Sequence, residues 1–309
     1  MACGMCNAAT AVTIRPSTKE KLCKPCFLHS IEEEAHRTIR ETRMFEGITT
    51  LIVGVSGGKD STVMAHILNL LNQKYRYGLS IKLLCIDEGI SGYRDKSIEV
   101  VRQNEKDLLL PLTILSYQET FGHTMDSVVS QIGRKSNCTY CGVFRRGSLE
   151  DGAKMLKGEM IATGHNADDI AETVIMNYLR GDISRLTRCT HALSEKSSPE
   201  VIPRCKPLMR VYEKEIVMYA FYQKLPYFST ECKYSPGAFR GVARTYIKSL
   251  EKLNPRFILQ IISSGDKVQK QASSTPTTKP CTICARHCSG SGGICKACLL
   301  LKTLNQVPN

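Results

Sequence analysis

The apolar run Thr49–Ser56 (TTLIVGVS) leads directly into Gly54-Val55-Ser56-Gly57-Gly58-Lys59-Asp60-Ser61. No other feature restricts the fold as much. Two adjacent glycines let a strand turn sharply and bring its backbone N–H groups against phosphate oxygens. A helix starting here, with Ser61 and Thr62 expected to cap it, would aim its positive end at the same oxygens. Lys59 is expected to act as a mobile cation. The pattern is not a Walker A loop, because Asp60 stands where that loop requires Ser or Thr after the lysine. An ordinary Gly-rich strand-to-helix turn is the plain alternative, and Ser-Gly-Gly-Lys-Asp-Ser is too particular for it.

Three more apolar stretches, 80–87 (SIKLLCID), 112–117 (LTILSY) and 160–165 (MIATGH), read as strands. Between them Val63, Ile67, Leu70 and Leu71 recur at helical spacing, as Ile98, Val101, Leu108 and Leu109 do less cleanly. Near-continuous apolar strands alternating with helices pair in parallel and are covered on both faces. The expected fold class is therefore α/β, an open doubly wound parallel sheet that binds ligands at the carboxyl ends of its strands. Asp168 and Asp169, in Gly164-His165-Asn166-Ala167-Asp168-Asp169, would open a helix at that edge, where a carboxylate can hold Mg²⁺ on phosphates. For Asp168 a simple helix N-cap is an equal reading.

The chain divides into an N-terminal zinc module (1–30), a connector helix (31–48), a nucleotide-binding domain (49–225) and a helical part (226–262) with Ala238–Leu253 as one element. A flexible Ser/Thr/Lys/Pro-rich linker (263–280) and a C-terminal zinc module (281–309) complete the division. No 18-residue apolar stretch occurs, so no membrane span is expected. MACGMCNAAT has neither a basic start nor an apolar core, so it does not read as a secretory signal.

A reducing compartment follows as the expectation, and it makes the fifteen cysteines ligands or nucleophiles instead of disulfides. Cys3, Cys6, Cys23 and Cys26, then Cys281, Cys284, Cys295 and Cys298, have the spacing of two four-thiolate zinc sites. Both should be closed and structural, with His287 or Cys288 as a possible substitute ligand in the second. Cys85 reads as strand core. Cys138 and Cys141 form a further CxxC just before a helix carrying Arg145 and Arg146. One CxxC cannot close a four-thiolate site, and Cys232 is the candidate third partner. Three thiolates with an open position suit a 4Fe–4S cluster, whereas a redox dithiol or persulfide nucleophile needs two; spacing does not choose between them.

Lys+Arg 42 against Asp+Glu 29 leave a net +13, which suits a polyanionic partner. Arg180, Arg185, Arg188, Arg204, Lys206, Arg210, Arg240 and Arg244 are the expected phosphate contacts.

SGGKDS resembles the signature of the PP-loop (N-type) ATP pyrophosphatases. The whole series (CxxC pair, SGGKDS, CTYCGVFRR, TGHNADDIAET, ECKYSPGAFRG, CxxC pair) is similar to the archaeal and eukaryotic tRNA 2-thiolation enzymes of that superfamily, and to their bacterial two-thiouridine synthetase relatives. The resemblance covers nearly the whole chain. It implies an adenine nucleotide alpha-hydrolase-like fold binding ATP through Gly54, Ser56, Gly57, Gly58, Lys59, Asp60, Ser61, Ile86, Gly164 and Asp169. It makes Asp60, Arg145, Asp169, Cys138, Cys141 and Cys232 the catalytic set, with Mg²⁺, two Zn²⁺ and a 4Fe–4S cluster as cofactors. The implied reaction adenylates the 2-carbonyl oxygen of the wobble uridine in cytoplasmic tRNAs for Lys, Glu and Gln, then transfers sulfur. The implied donor is the thiocarboxylated C-terminus of a ubiquitin-related modifier, and the implied partner a second thiolation subunit or a second copy. Two features depart from the family pattern: the 263–280 linker, and Arg145 where relatives carry Lys, which keeps the charge but alters geometry. A 2-thiocytidine- or lysidine-type enzyme would share the loop but not the terminal modules. A zinc-ribbon RNA-binding scaffold would need neither SGGKDS nor a further CxxC.

Overall fold

The computed structural model describes residues 1–306 apart from 135, 195, 197, 199, 270–277 and 289–291. A short antiparallel ribbon, β1 (Thr13–Ile14) and β2 (Lys21–Leu22), precedes α1 (Lys24–Glu41). Pro25 sits in the first turn of α1, where its missing N–H is no loss. The helix thus starts inside the terminal cysteine segment, earlier than the 31–48 connector expected from sequence.

Next come β3 (Thr50–Val55), α2 (Lys59–Tyr75), β4 (Ser80–Asp87), α3 (Arg94–Leu108), β5 (Leu112–Ser116), α4 (Tyr117–Phe121), α5 (Met125–Ile132) and α6 (Asn137–Met155). They are followed by β6 (Met160–Ala162), α7 (Ala167–Leu179), α8 (Ile183–Cys189), β7 (Arg204–Cys205) and α9 (Glu213–Gln223). The chain continues through α10 (Phe239–Leu253), α11 (Phe257–Gln269), the ribbon β8 (Lys279–Pro280) with β9 (His287–Cys288), and α12 (Lys296–Asn305). Helix α11 extends into the segment expected to be linker, and the rest of that segment to 277 lies outside the described residues.

The central sheet has the order β5-β4-β3-β6-β7, and every pairing is parallel. All four strands expected from the apolar runs are present. The added edge strand β7 is only two residues long, too short for any period to reveal. The chain winds from β3 outward to β5, then returns to β6 on the other side of β3. The winding therefore reverses between β3 and β6, where the loops leaving two carboxyl ends diverge into a crevice.

Alternation along β3 builds a core on each face. Leu51, Val53 and Val55 join one buried cluster with α1, α2, α7 and α9. Ile52, with Leu84 and Ile86 of β4, joins the other, made by α4, α5, α6 and α12. Each fully buried side chain of this kind stabilises the fold by roughly 1.5–3 kcal/mol.

Candidate active site

The loop after β3 is held in an unusual shape. Gly57 has φ +78°, and a Cβ there would come within 2.4 Å of the Ser97 carbonyl oxygen, so only glycine fits. Gly58, not Ser61 or Thr62, is the N-cap of α2. Ser61 instead ties the loop together: its hydroxyl donates to Gly58 O at 3.0 Å and accepts from Ser56 N at 3.1 Å. From beneath, buried Arg94 donates to Ser56 O at 3.1 Å. Lys59 is not mobile in this state, since it pairs with Asp60 at 3.1 Å and Glu213 at 2.9 Å. Burial opposes its charge, but the two carboxylates outweigh burial and raise its pKa.

The loop after β6 forms the opposite wall. A Cβ on Gly164 would sit 3.0 Å from the backbone of Asp60 and Ser61, so a side chain here would push the two loops apart. Asn166 caps α7 by accepting from Asp169 N at 3.0 Å, while its Nδ2 donates to Asp60 Oδ1 at 2.8 Å. Asp169 faces the crevice, 3.3 Å from Arg240. Burial, with added repulsion from Asp60 and Glu172 and against the pull of Arg240, lifts its pKa to about 6. Asp168 is neither cap nor crevice residue: it is buried, pairs with Lys248 at 2.6 Å and accepts from Glu213 N at 2.7 Å.

Between the loops lies a cleft of about 320 Å³. Gly54, Ser56, Gly58, Asp60, Ser61, Ile86, Gly164 and Asp169 line it together with Arg145. Gly57 and Lys59 support the wall from behind. Glu88, which had no sequence signal, and His165, which stands in the GHNADD motif but carried no expected role, also line it.

Cys138-Thr139-Tyr140-Cys141 lies inside the first turns of α6, not ahead of the helix. Arg145 follows Cys141 by one turn, with Nη2 3.3 Å from the Cys141 sulfur and 3.1 Å from Glu88 Oε1. The other Glu88 oxygen is 3.1 Å from Arg94 Nε, and Glu88 is only 4% exposed. A continuous polar chain therefore links the nucleotide loop to the CxxC: Ser56, Arg94, Glu88, Arg145, Cys141. Glu88 and Arg94 were missed because the groups they join, Ser56 and Arg145, lie on other elements; the only local hint is a carboxylate directly after a core strand.

Cys232 is brought toward α6 by its neighbours. Asn137 Nδ2 donates to Tyr234 O at 3.3 Å, Tyr234 OH donates to Asp126 at 2.6 Å, and Lys233 pairs with Asp126 at 3.1 Å. Cys141 and Cys232 both pack on the α4–α6 core. Burial, and then the charge of the other cysteines, pushes the Cys138 and Cys232 thiols up. Among the described residues, only the two terminal groups bring three or more Cys, His, Asp or Glu ligand atoms within 4.8 Å of one another, so the Cys138, Cys141 and Cys232 sulfurs are more widely spaced.

The terminal groups are Cys3, Cys6, Cys23 and Cys26, and Cys281, Cys284, Cys295 and Cys298. Cys6 and Cys23 sulfurs are 3.9 Å apart, and those of Cys284 and Cys295 are 3.5 Å apart. A tetrahedron with zinc–sulfur bonds of about 2.3 Å has edges of about 3.8 Å, so both groups match that geometry. His287 pairs with Glu200 at 2.6 Å and Cys288 lies outside the group, which removes both as alternative ligands.

A model of the PP-loop domain family matches residues 28–250. The cytoplasmic tRNA 2-thiolation protein 1 of Danio rerio is 51% identical over 305 residues, covering 98% of this chain and 88% of that protein. Its Arabidopsis thaliana counterpart is 52% identical over 305 residues, covering 98% and 85%. Among solved structures, the U34-tRNA thiolase NcsA from Methanococcus maripaludis, determined with its 4Fe-4S cluster, has a TM-score of 0.83 at 27% identity and covers 98% of this chain and 96% of that one.

Proposed function

Because the chain belongs to the PP-loop domain family, and within it to the cytoplasmic tRNA 2-thiolation protein 1 family, we propose that it uses ATP to adenylate a wobble uridine and then replaces the uridine 2-oxygen with sulfur. It is a tRNA-thiolating enzyme, and its relatives' name sets the reaction in the cytoplasm. One observation carries the finer reading. The glycine loop, Asp60, Asp169 and Arg145 line one cleft, and Arg145 also reaches the Cys141 sulfur.

Backbone N–H groups of residues 56–61 and the start of α2 receive the triphosphate. Asp60 and Asp169, which both line the cleft, would hold Mg²⁺ on the phosphates or position the uridine. The uridine O2 attacks the α-phosphorus, pyrophosphate leaves, and the N3 proton passes to solvent or a basic group. Sulfur at the sulfide level then attacks C2 and AMP departs with the C–O electron pair, so no net redox occurs. Arg145 offsets negative charge developing on the leaving oxygen.

Cys138, Cys141 and Cys232 would hold a 4Fe–4S cluster, which supplies an iron with an open position for sulfide. Thiolates on separate irons stand further apart than thiolates on a single ion, so these three sulfurs need not meet as closely as those of the terminal groups. The terminal groups hold one Zn²⁺ each. The substrates are tRNAs for Lys, Glu and Gln, the donor is a thiocarboxylated ubiquitin-related modifier, and a second thiolation subunit or a second copy completes the enzyme.

The test is product analysis. With tRNA and a sulfide source, AMP and pyrophosphate should form, and Asp60→Asn should abolish both together with 2-thiouridine. Formation of ADP and phosphate instead would sink the adenylation step.

A further inference from the structure

Five of the basic side chains expected to meet RNA fall into two groups. Arg240 and Arg244 grip Glu172 at 2.6 and 2.9 Å, and Arg210 pairs with Glu41 at 2.5 Å. These three are committed to carboxylates. Arg204 and Lys206, with Arg146 of α6, are different: among the described residues no carboxylate pairs with any of them. Arg204 donates to the Arg146 carbonyl at 2.7 Å and Lys206 to the Cys189 carbonyl at 2.8 Å. Glu150, whose field reaches Arg204, is itself paired with Lys154 at 3.0 Å.

Their position is specific. Arg204 and Lys206 flank Cys205, whose carbonyl accepts from Thr163 N at 3.0 Å, and Thr163 lines the cleft. Arg146 directly follows Arg145, another lining residue, yet Arg146, Arg204 and Lys206 are not themselves lining residues. They stand just outside the mouth. Burial lowers the pKa of Lys206 to about 8 and that of Arg204 to about 10; burial, then Arg185 and Arg145, lowers that of Arg146. Desolvation, then the charges of Lys206, Arg240, Arg204 and Arg145, pushes His165 towards its neutral form. Cations gathered without counter-charge destabilise the free protein, and a polyanion laid across them relieves the repulsion.

We propose that Arg146, Arg204 and Lys206 form a phosphodiester seat that holds the RNA backbone beside the base placed in the cleft. The seat rests on the preceding reading of the substrate as tRNA. It assigns phosphate contact to these residues and withdraws it from Arg210, Arg240 and Arg244, whose charges are already used.

The test measures tRNA affinity against salt concentration for the full-length protein and for Arg146→Gln, Arg204→Gln and Lys206→Gln, with Arg210→Gln as control. Each of the first three should weaken binding for all cognate tRNAs and reduce the log–log salt slope by about 0.7–1. Arg210→Gln should keep the wild-type slope, and ATP affinity should be unchanged in all four. Arg146 lies on α6 and not on β7, so its variant tests the seat even if a β7 variant does not fold. Unchanged slopes overturn the seat, as does a loss of ATP affinity, which would assign the cations to the nucleotide. Unchanged tRNA binding with weakened binding of an acidic protein would also overturn it. If wild type binds tRNA with the full slope and the variants lose it, yet no 2-thiouridine forms, the seat stands and the thiolation reading fails.

Discussion

The two terminal groups have the same four-cysteine make-up and similar dimensions, but they are joined to opposite faces of the sheet. At the N-terminus, Cys3 and Cys23 pack with Phe27 and Ile31 of α1 in the larger core. That module is tied to α9 through Arg15, 3.1 Å from fully buried Glu215. At the C-terminus, Cys281, Cys295 and Cys298 pack in the smaller core with Tyr140 and Phe144 of α6. Arg286 clamps α6 through Asp151, at 2.9 Å from Nε, and lies over the Phe121 ring at 5.0 Å. Helix α6 is the one that carries Cys138, Cys141 and Arg145. The ligand set alone therefore does not tell what a metal does for an enzyme; the helix against which it is packed does. The N-terminal site should support the fold, while the C-terminal site should also set the geometry of the cleft.

The strongest way to break this comparison is to open each site. Cys295→Ser should release about one zinc and lower thiolation about 100-fold, because a shift of about 1 Å in Arg145 is enough for such a loss. Cys6→Ser should release the same amount of zinc and lower thermal stability, yet retain more than about a tenth of the activity. Zinc content, melting temperature and 2-thiouridine yield report all three. Equal activity losses in the two variants would erase the distinction.

That distinction is invisible in sequence, where the two modules read alike. Cysteine spacing is local, so the two groups of four were legible; what each module leans on depends on contacts more than a hundred residues away, such as Arg286 with Asp151. The glycine loop and the strands β3, β4, β5 and β6 were legible for the same reason, since period and turn chemistry are local. Arg240 and Arg244 read as RNA contacts because Glu172, which takes up both, lies on another helix. Arg94 and Glu88 gave no signal because a buried pair becomes recognisable only once burial is known.

The second test compares the two arginines that fasten the modules, and its effects should cross. Arg15→Ala leaves Glu215, fully buried, without its cation and should cost about 3 kcal/mol of stability. Donation from Ser17 N at 3.1 Å and Tyr212 N at 3.1 Å keeps the loss from being larger. Arg286→Ala should cost only about 1–2 kcal/mol, since its Asp151 partner is partly solvated. Thiolation in the stably folded fraction should nevertheless fall about tenfold for Arg286→Ala and little for Arg15→Ala. Denaturant unfolding gives the first quantity and activity well below the melting temperature gives the second. Parallel rankings in the two measurements would count against separate roles.

The smallest expected effect concerns the segment around Cys232, which belongs to the C-terminal side of the comparison because α5 lies between it and α12. Asp126 on α5 accepts from Ser91 N at 2.9 Å and from Tyr234 OH at 2.6 Å, and pairs with Lys233 at 3.1 Å. Desolvation opposes its charge, but Ser91, Tyr234 and Lys233 outweigh that and hold its pKa well below the usual carboxylate range. A depressed native pKa contributes stability that is complete above the unfolded value, about 4, and is lost as the pH falls below it. The 229–236 segment should therefore stay fastened at neutral pH and loosen in acid. Asp126→Asn should reproduce that loosening at pH 7, at about 1 kcal/mol because the pair is partly exposed. Amide hydrogen exchange across 229–236 should then quicken roughly fivefold, as 1 kcal/mol implies, with thiolation lowered only a few-fold. Exchange across 3–26 should not change, because the partners described for the Asp126 carboxylate are Ser91, Lys233 and Tyr234 and none belongs to that segment. If both segments quicken together, the two faces are mechanically one body and the distinction between the modules fails; if neither does, Cys232 is held by something other than Asp126.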